Sequence, residues 1–330
     1  MTRAMRALVH DGTYGIPAAL PVGEVPVPSI GDDDVLIRVH AAGVDPSVWH
    51  LMTGLPYVVR VAYGWRRSKI RDWGFDVSGV VESVGGNVKA FHRGDAVFGI
   101  IRGAFADYAR AAADRLAPKP ARISFGEAAA LGISGCTALQ ALRDVARVQA
   151  RQRVMIIGAG GGVGAFAVQI AKAFGACVTG VCSGSKAELV RSLGADHVID
   201  YAREDCVSGA RTYDVIVDTA GSRPLLKVRR ALEAHGTLVV VGGEGGSVLL
   251  GGLGRVIRAG AISPFVSQSL RGMLAKGNAG DLMELKRLVD DGLVTPVIDR
   301  SYALEHVADA LRYLEAGHTR GKIVVEVLAA

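Results

Sequence analysis

Seven consecutive residues, Gly158-Ala159-Gly160-Gly161-Gly162-Val163-Gly164, carry the densest chemical signal in the chain. Glycines bare the backbone N–H groups, and an apolar strand, Val154-Met155-Ile156-Ile157, leads into them. Val163, Phe166, Ala167, Ile170, Ala171 and Phe174 follow at helical spacing. A strand, a glycine turn and a helix N-terminus gather partial positive charge at one point, which suits a pyrophosphate. The strict G-x-G-x-x-G form has Ala159 first, then Gly161 and Gly164. A parallel G-x-x-G-x-x-G form uses Gly158, Gly161 and Gly164. The expected dinucleotide contacts are Gly158, Gly161, Gly162, Val163 and Gly164.

A second cluster bears on which dinucleotide binds. An NAD site places a carboxylate about 20 residues past the glycines, on the ribose 2′-hydroxyl. Here that position reads Cys182-Ser183-Gly184-Ser185-Lys186, with no acid before Glu188. A carboxylate repels a 2′-phosphate, whereas a hydroxyl and an ammonium bind it. Ser183 and Lys186 therefore point to NADPH, and Tyr201 offers a further hydroxyl. The alternative is a Lys186 that only opens a helix and faces solvent.

These groups need a scaffold. The chain has 330 residues, enough for about two domains. Half the residues are hydrophobic, and no apolar run reaches the roughly 18 residues that span a bilayer. The N-terminus lacks the apolar core of a signal peptide. Cys136, Cys177, Cys182 and Cys206 are scattered and form no C-x-x-C pair, the pattern of reduced thiols in a cytoplasmic protein. Residues 1–122 read as β-rich, with strands at 35–42, 77–84 and 94–99 and a hinge at Pro118–Pro120. Ser124 and Glu127 form a capping box at a helix start. Strands near 154–157, 177–182, 197–199, 214–218 and 237–241 then alternate with helices near 162–174, 186–193 and 222–234. That rhythm predicts a parallel, doubly wound α/β sheet over 123–268, closed by a strand at 261–266. Helices at 281–290 and 304–314 and a strand at 323–327 follow, in a return segment, 269–330, that completes the first domain.

The formal charge of +6 favours anionic ligands. It concentrates at Arg60, Arg66, Arg67, Lys69 and Arg71, interleaved with Tyr57, Tyr63, Trp65 and Trp73. Such a segment reads either as a solvated loop or helix beside a substrate cleft, or as a patch for nucleic acid or anionic membrane. No recognised nucleic-acid module accompanies it. The expectation is a small-molecule partner, no nucleic acid and no stable membrane insertion.

Several landmarks together resemble the medium-chain dehydrogenase/reductase superfamily over nearly the whole chain, and within it the zinc-independent quinone oxidoreductases. They are Ala42-Gly43-Val44-Asp45-Pro46-Ser47, Asp76 to Gly85, Gly94-Asp95-Ala96-Val97, the glycine run, Leu193 to Tyr201, and Gly321-Lys322-Ile323-Val324-Val325. Ala159 then reads as a variant of the quinone oxidoreductase turn. The resemblance implies a GroES-like catalytic domain beside a Rossmann domain, with NADPH in the cleft between them. It also implies that Thr137, Gly242 and Gly243 lie near the nicotinamide, that Ser183, Lys186 and Tyr201 meet the 2′-phosphate, and that the protein is a homodimer.

Zinc-dependent relatives have a cysteine where this chain has Asp45, and a His-Glu pair where it has Phe75-Asp76. The four-cysteine lobe is also absent. Asp45 and Asp76 alone are a poor ligand set for zinc, so no metal is expected. Quinones and enones need less polarisation than simple carbonyls, because their delocalised systems accept hydride readily. The expected activity is NADPH-dependent reduction of quinones or α,β-unsaturated carbonyls. The alternatives are a metal-free carbonyl reductase or alcohol dehydrogenase, and a non-catalytic NADPH-binding sensor. Substrate-side candidates are Asp45, Trp49 and Tyr57, with Asp76 structural. Relatives carry asparagine at Asp45, which therefore either orients the carboxamide or caps a turn. Trp49 and Tyr57 either stack a flat substrate, with Tyr57 donating a proton, or line a wall.

Overall fold

Alternating burial sets the first sheet. In β3 (Asp34–Val44), Val35, Ile37 and Val39 are fully buried while Arg38 is exposed. A computed structural model describes residues 3–16, 20–208, 211–242 and 247–328. The chain divides into two compact units. The first comprises Met1–Cys136, Gly277–Asp291 and Pro296–Ala330, and the second Thr137–Lys276 and Gly292–Thr295.

In the first unit, β1 (Ala4–Leu8) and β2 (Val22–Pro26) form an antiparallel ribbon. The main sheet has seven strands. β3 lies between β4 (Asp76–Val84) and β15 (Lys322–Glu326), and also pairs β6 (Tyr108–Ala112). β5 (Ala96–Ile100) and β7 (Leu116–Pro118) extend one side, and β14 (Ile298–Ala303) the other. The return of the chain through β15 supplies an interior strand between β14 and β3, so the first unit is complete only with its C-terminal segment. Between β3 and β4 run α1 (Pro46–Thr53) and α2 (Val58–Tyr63). α8 (Ala279–Asp290) and α9 (Val307–Glu315) belong to the returning chain.

The second unit is a six-stranded parallel sheet. Its strands are β8 (Arg153–Ile157), β9 (Cys177–Cys182), β10 (His197–Asp200), β11 (Tyr213–Asp218), β12 (Leu232–Val240) and β13 (Ser269–Gly272). Their order, β10-β9-β8-β11-β12-β13, is the doubly wound 3-2-1-4-5-6 arrangement. α4 (Gly162–Ala173), α5 (Ala187–Ser192), α6 (Leu225–Arg229) and α7 (Leu253–Ile262) connect them.

Three expectations change. The strand expected at 261–266 is instead the end of α7 and a turn of 3-10 helix, Ser263–Phe265. The sixth strand comes later, at β13, where Leu270 is buried against β12. Pro264 explains the shift, because it cannot donate to a ladder. The helix expected at 222–234 is only α6, and Leu232 already opens β12. The division between units falls at Cys136/Thr137, inside α3 (Phe125–Gln140), rather than at 122/123. The capping box is formed: the Ser124 N–H donates to Glu127 Oε2 at 2.7 Å, and the Glu127 N–H to Ser124 Oγ at 3.2 Å. A helix that starts there continues across the division; its N-terminal part belongs to the first unit, where Ala129 and Ala130 pack with Ala41 and Val324.

Candidate functional site

In the second unit, the glycine run turns from β8 into α4 where the strand order reverses, between β8 and β11. Two glycines are compelled. A Cβ on Gly158 (φ 86°) would lie 2.5 Å from Thr219 Oγ1, and one on Gly164 would lie 2.1 Å from the Gly158 carbonyl. The turn is that tight because α4 starts almost on top of β8. Gly161 is the N-cap, and the Ala165 N–H reaches back to its carbonyl at 2.9 Å. The N–H groups of Gly162, Val163 and Gly164 thus head a twelve-residue helix with no acceptor inside it. Their geometry fits a pyrophosphate.

The neighbouring corner is built by β9 and β10. Their register sets Asp200 beside Cys182, and the Tyr201 N–H donates to the Cys182 carbonyl at 3.1 Å. Ser183, Lys186 and Tyr201 are therefore gathered at the C-terminal ends of adjacent strands. Ser183 Oγ and Ser185 Oγ are 3.1 Å apart. The Lys186 stem lies against the glycine turn, since a Cβ on Gly160 would come within 2.9 Å of it. Burial pushes the Cys182 thiol up, as does Asp200, while Lys186 and Arg191 pull it down. Arg191 is thus a second cation within electrostatic reach of this corner, a residue the sequence reading missed. Asp200 is the local acid, and its Oδ1 accepts from the Ala202 N–H at 3.0 Å. Thr137 opens the second unit and is buried. Gly242 follows β12, and Gly243 lies outside the described residues.

In the first unit, Asp45 is the N-cap of α1. Its Oδ1 accepts from the Ser47 N–H at 2.8 Å and from the Ser47 hydroxyl. Its Oδ2 is buried with no partner. Trp49, one turn along α1, packs partly on the core, and its Nε1 is likewise buried and unpartnered. Tyr57 precedes α2, is 39% exposed and carries the Arg60 guanidinium 4.7 Å above its ring. Asp45 and Trp49 share one helix, while Tyr57 stands apart on the next.

Asp76 sits at the start of β4, fully buried. Its Oδ1 accepts from the Ile133 N–H at 2.8 Å, and its Oδ2 lies 3.5 Å from the buried ammonium of Lys322. Lys322 also donates to Ser134 Oγ at 3.1 Å. Burial pushes the Asp76 pKa up to about 7, with Asp45 adding to the rise; Lys322 and the Ile133 N–H oppose it. The carboxylate needs room. A Cβ on Gly132 would lie 2.2 Å from Asp76 Oδ1, and one on Gly43 would lie 2.9 Å from Oδ2. The Ala-Gly-Val and Gly-Lys landmarks therefore meet around one buried acid. Lys322 was not singled out from sequence; the clue was a lysine opening a strand whose next three residues are apolar.

Among the described residues, no three His, Cys, Asp or Glu side chains are grouped to hold a metal ion. His40 stacks on Phe125 at 4.1 Å, and His50 Nδ1 is 2.7 Å from the Leu55 carbonyl.

A Rossmann-like parallel sheet in one unit and a GroES-like sheet in the other define a nicotinamide-dependent oxidoreductase. Residues 31–121 match the alcohol dehydrogenase GroES-like domain family, and 193–325 the zinc-binding dehydrogenase family. The chain is 34% identical to 2-methylene-furan-3-one reductase of Solanum lycopersicum, over 91% of this chain and 74% of that protein. It is 32% identical to quinone oxidoreductase of Pongo abelii, over 93% of each. The quinone oxidoreductase structure from Coxiella burnetii superposes with a TM-score of 0.84 at 29% identity, covering 99% of this chain and 100% of that one. The chain belongs to the medium-chain dehydrogenase/reductase superfamily, in its quinone oxidoreductase-like branch.

The buried pair yields a two-part prediction. Asp76→Asn removes the group that faces the buried Lys322 ammonium and should destabilise the fold. Asp76→Asn with Lys322→Met should lose clearly less than the two single changes summed. Because folded Asp76 binds its proton more tightly than the unfolded chain does, its contribution is complete below about pH 4 and is lost as pH rises towards 7. Urea unfolding across that window should move the stability gap against the wild type relative to the double variant. Additive losses and a pH-independent gap would contradict the assignment.

Proposed function

We propose that the protein is an NADPH-dependent reductase of quinones or α,β-unsaturated carbonyls that works without zinc. The observation that carries the cofactor choice is the corner of Ser183, Lys186 and Tyr201, with the Lys186 stem against the phosphate-binding turn. When bound, NADPH supplies a hydride from its nicotinamide ring. The helix N-terminus at Gly162, Val163 and Gly164 holds the pyrophosphate, and Lys186 with the hydroxyls of Ser183 and Tyr201 holds the 2′-phosphate. Asp45 Oδ2 calls for a ligand N–H or O–H, because it is a buried acceptor with nothing to accept from. A quinone brings no such donor, whereas a nicotinamide carboxamide does. Trp49 Nε1 is the complementary donor for a substrate oxygen, and the Tyr57 phenol supplies the proton that balances hydride transfer.

Residue use supports metal-free chemistry. Asp45 caps a helix through one oxygen, Asp76 is paired with Lys322, and Phe75 offers no ligand atom. A substrate that delocalises the incoming charge then requires only oriented donors. The relatives named as quinone oxidoreductase and 2-methylene-furan-3-one reductase support this substrate class. Among the described residues no helix is long and apolar enough to cross a membrane, and the thiols of Cys177, Cys182 and Cys206 fit the cytoplasm.

We also propose a homodimer. β13 is an edge strand of the parallel sheet. Phe265 is 86% exposed and Leu274 is 77% exposed on either side of it. A second copy pairing there would cover both.

Purified protein should oxidise NADPH with quinones or enones, faster than with saturated aldehydes, and equally with a chelator present. Absence of turnover across both panels sinks the assignment. Lys186→Ala should raise the KM for NADPH by about 10- to 150-fold, the value of one charge-assisted contact, and leave NADH nearly unchanged; equal effects on both cofactors refute the 2′-phosphate site. Light scattering should give a dimer mass, and Phe265→Glu with Leu274→Glu a monomer. An unaltered dimer mass in that variant would exclude this edge.

A further inference from the structure

The segment from α2 to Trp73 takes no part in the proposed reaction. It is well ordered by its own contacts. A Cβ on Gly64 (φ 119°) would lie 2.2 Å from the Arg67 carbonyl, so Gly64 to Arg67 forms a tight turn that only glycine permits at its first position. The Ser68 N–H donates to the Gly12 carbonyl at 2.8 Å and the Lys69 N–H to the Tyr63 carbonyl at 2.8 Å. Ser68, Ile70 and Trp73 are buried beneath it. The turn is therefore held from below and presents its tip outward.

At that tip Trp65 is 67% exposed, and Val61, on α2, is 74% exposed. Among the described residues Trp65 has no ring or cation partner. Arg66, Arg67 and Lys69 flank it and are exposed. Arg67 lies 3.9 Å from Asp11, while Arg66 and Lys69 have no ion-pair partner among the described residues. Arg60 is half-buried and donates to the Gly54 carbonyl, and the exposed Arg71 donates to the Ser68 carbonyl. The exposed surface thus has a valine on α2 and an indole on a turn that also exposes Arg66, Arg67 and Lys69. An indole with a wet edge and an apolar face suits the headgroup level of a bilayer, and the cations suit anionic lipid.

We propose that the Gly64–Lys69 turn docks the protein peripherally on an anionic lipid surface, with Trp65 entering the headgroup layer and Arg66, Arg67 and Lys69 meeting lipid phosphates. No segment spans the bilayer; the contact is interfacial and reversible. Such docking would bring the enzyme to lipid-dissolved substrates.

The test uses intrinsic fluorescence. Of the three tryptophans, Trp73 is buried and Trp49 partly so, which leaves Trp65 as the reporter. Full-length protein should bind phosphatidylcholine vesicles containing about 30% phosphatidylglycerol, with a blue-shifted emission, and should be released at about 0.5 M salt. Arg66→Ala with Arg67→Ala should weaken binding about 30-fold, about fivefold for each cation removed. Trp65→Ala should abolish the blue shift while leaving turnover of a water-soluble enone unchanged. Absent binding, equal binding to pure phosphatidylcholine, or full binding by the double alanine variant overturns the proposal. A fall in enone kcat/KM in Trp65→Ala would assign the turn to the substrate site instead. Tighter binding to single-stranded RNA than to vesicles would assign it to nucleic acid. Either result also overturns it.

Discussion

The first unit depends on one buried ion pair. Lys322 and Asp76 are 246 residues apart in sequence, yet their side chains meet with almost no access to water. Neither charge is tolerable there alone, and each is surrounded by groups that make sense only with the other present. Ile133 and Ser134, adjacent on α3, each bond one member of the pair. The pair therefore ties three elements that are remote in sequence: β4, the returning β15, and the middle of α3. Gly43 and Gly132 lack side chains because the carboxylate fills the space a Cβ would take. An interaction of this kind adds little net stability compared with an apolar core of the same shape. What it does is penalise any arrangement in which the C-terminal strand fails to return to its place.

The second unit depends on steric closeness rather than charge. The approach of Gly164 to the Gly158 carbonyl brings the axis of α4 down onto β8, and Thr219 fixes the other side of the turn through its bond to the Ile157 carbonyl at 2.8 Å. At the same end of the sheet, Asp218 is buried and paired with Arg255 of α7, and it accepts from the Gly221 N–H at 2.9 Å. The strand ends are thus stiffened by local bonds while the N–H groups of α4 are left open. A site for a pyrophosphate needs that combination, because donors that must reorganise on binding lose part of the affinity they provide.

The parts legible in sequence were those governed by neighbours a few residues away. The glycine turn, the capping box at Ser124 and Glu127, and most parallel strands follow from local spacing. The corner of Ser183, Lys186 and Tyr201 was legible because β9 and β10 are successive strands with an ordinary register. What stayed hidden required distant partners. Nothing near Lys322 announces Asp76. The run from 244 to 280 is rich in glycine and apolar residues, so both helix and strand periods fit it; α7 forms because packing against β13 decides the matter. The division inside α3 escaped notice because prolines at 118 and 120 mark a chain turn, whereas unit membership follows from which side chains a helix buries.

Asp45 and Asp76 show how acids inside the first unit are held by partners of their own. A ligand to zinc must keep its lone pairs free of other bonds and face a common point. Asp45 instead commits one oxygen to a helix N-terminus, and Asp76 commits both to an amide and an ammonium. His40, close in sequence, has its ring stacked on Phe125 and its pKa lowered by burial. Each side chain is thereby fixed by the fold in an orientation set by its own partner rather than by a shared ion. The one oxygen left over, Asp45 Oδ2, is a lone acceptor, and a lone acceptor selects ligands by their donors.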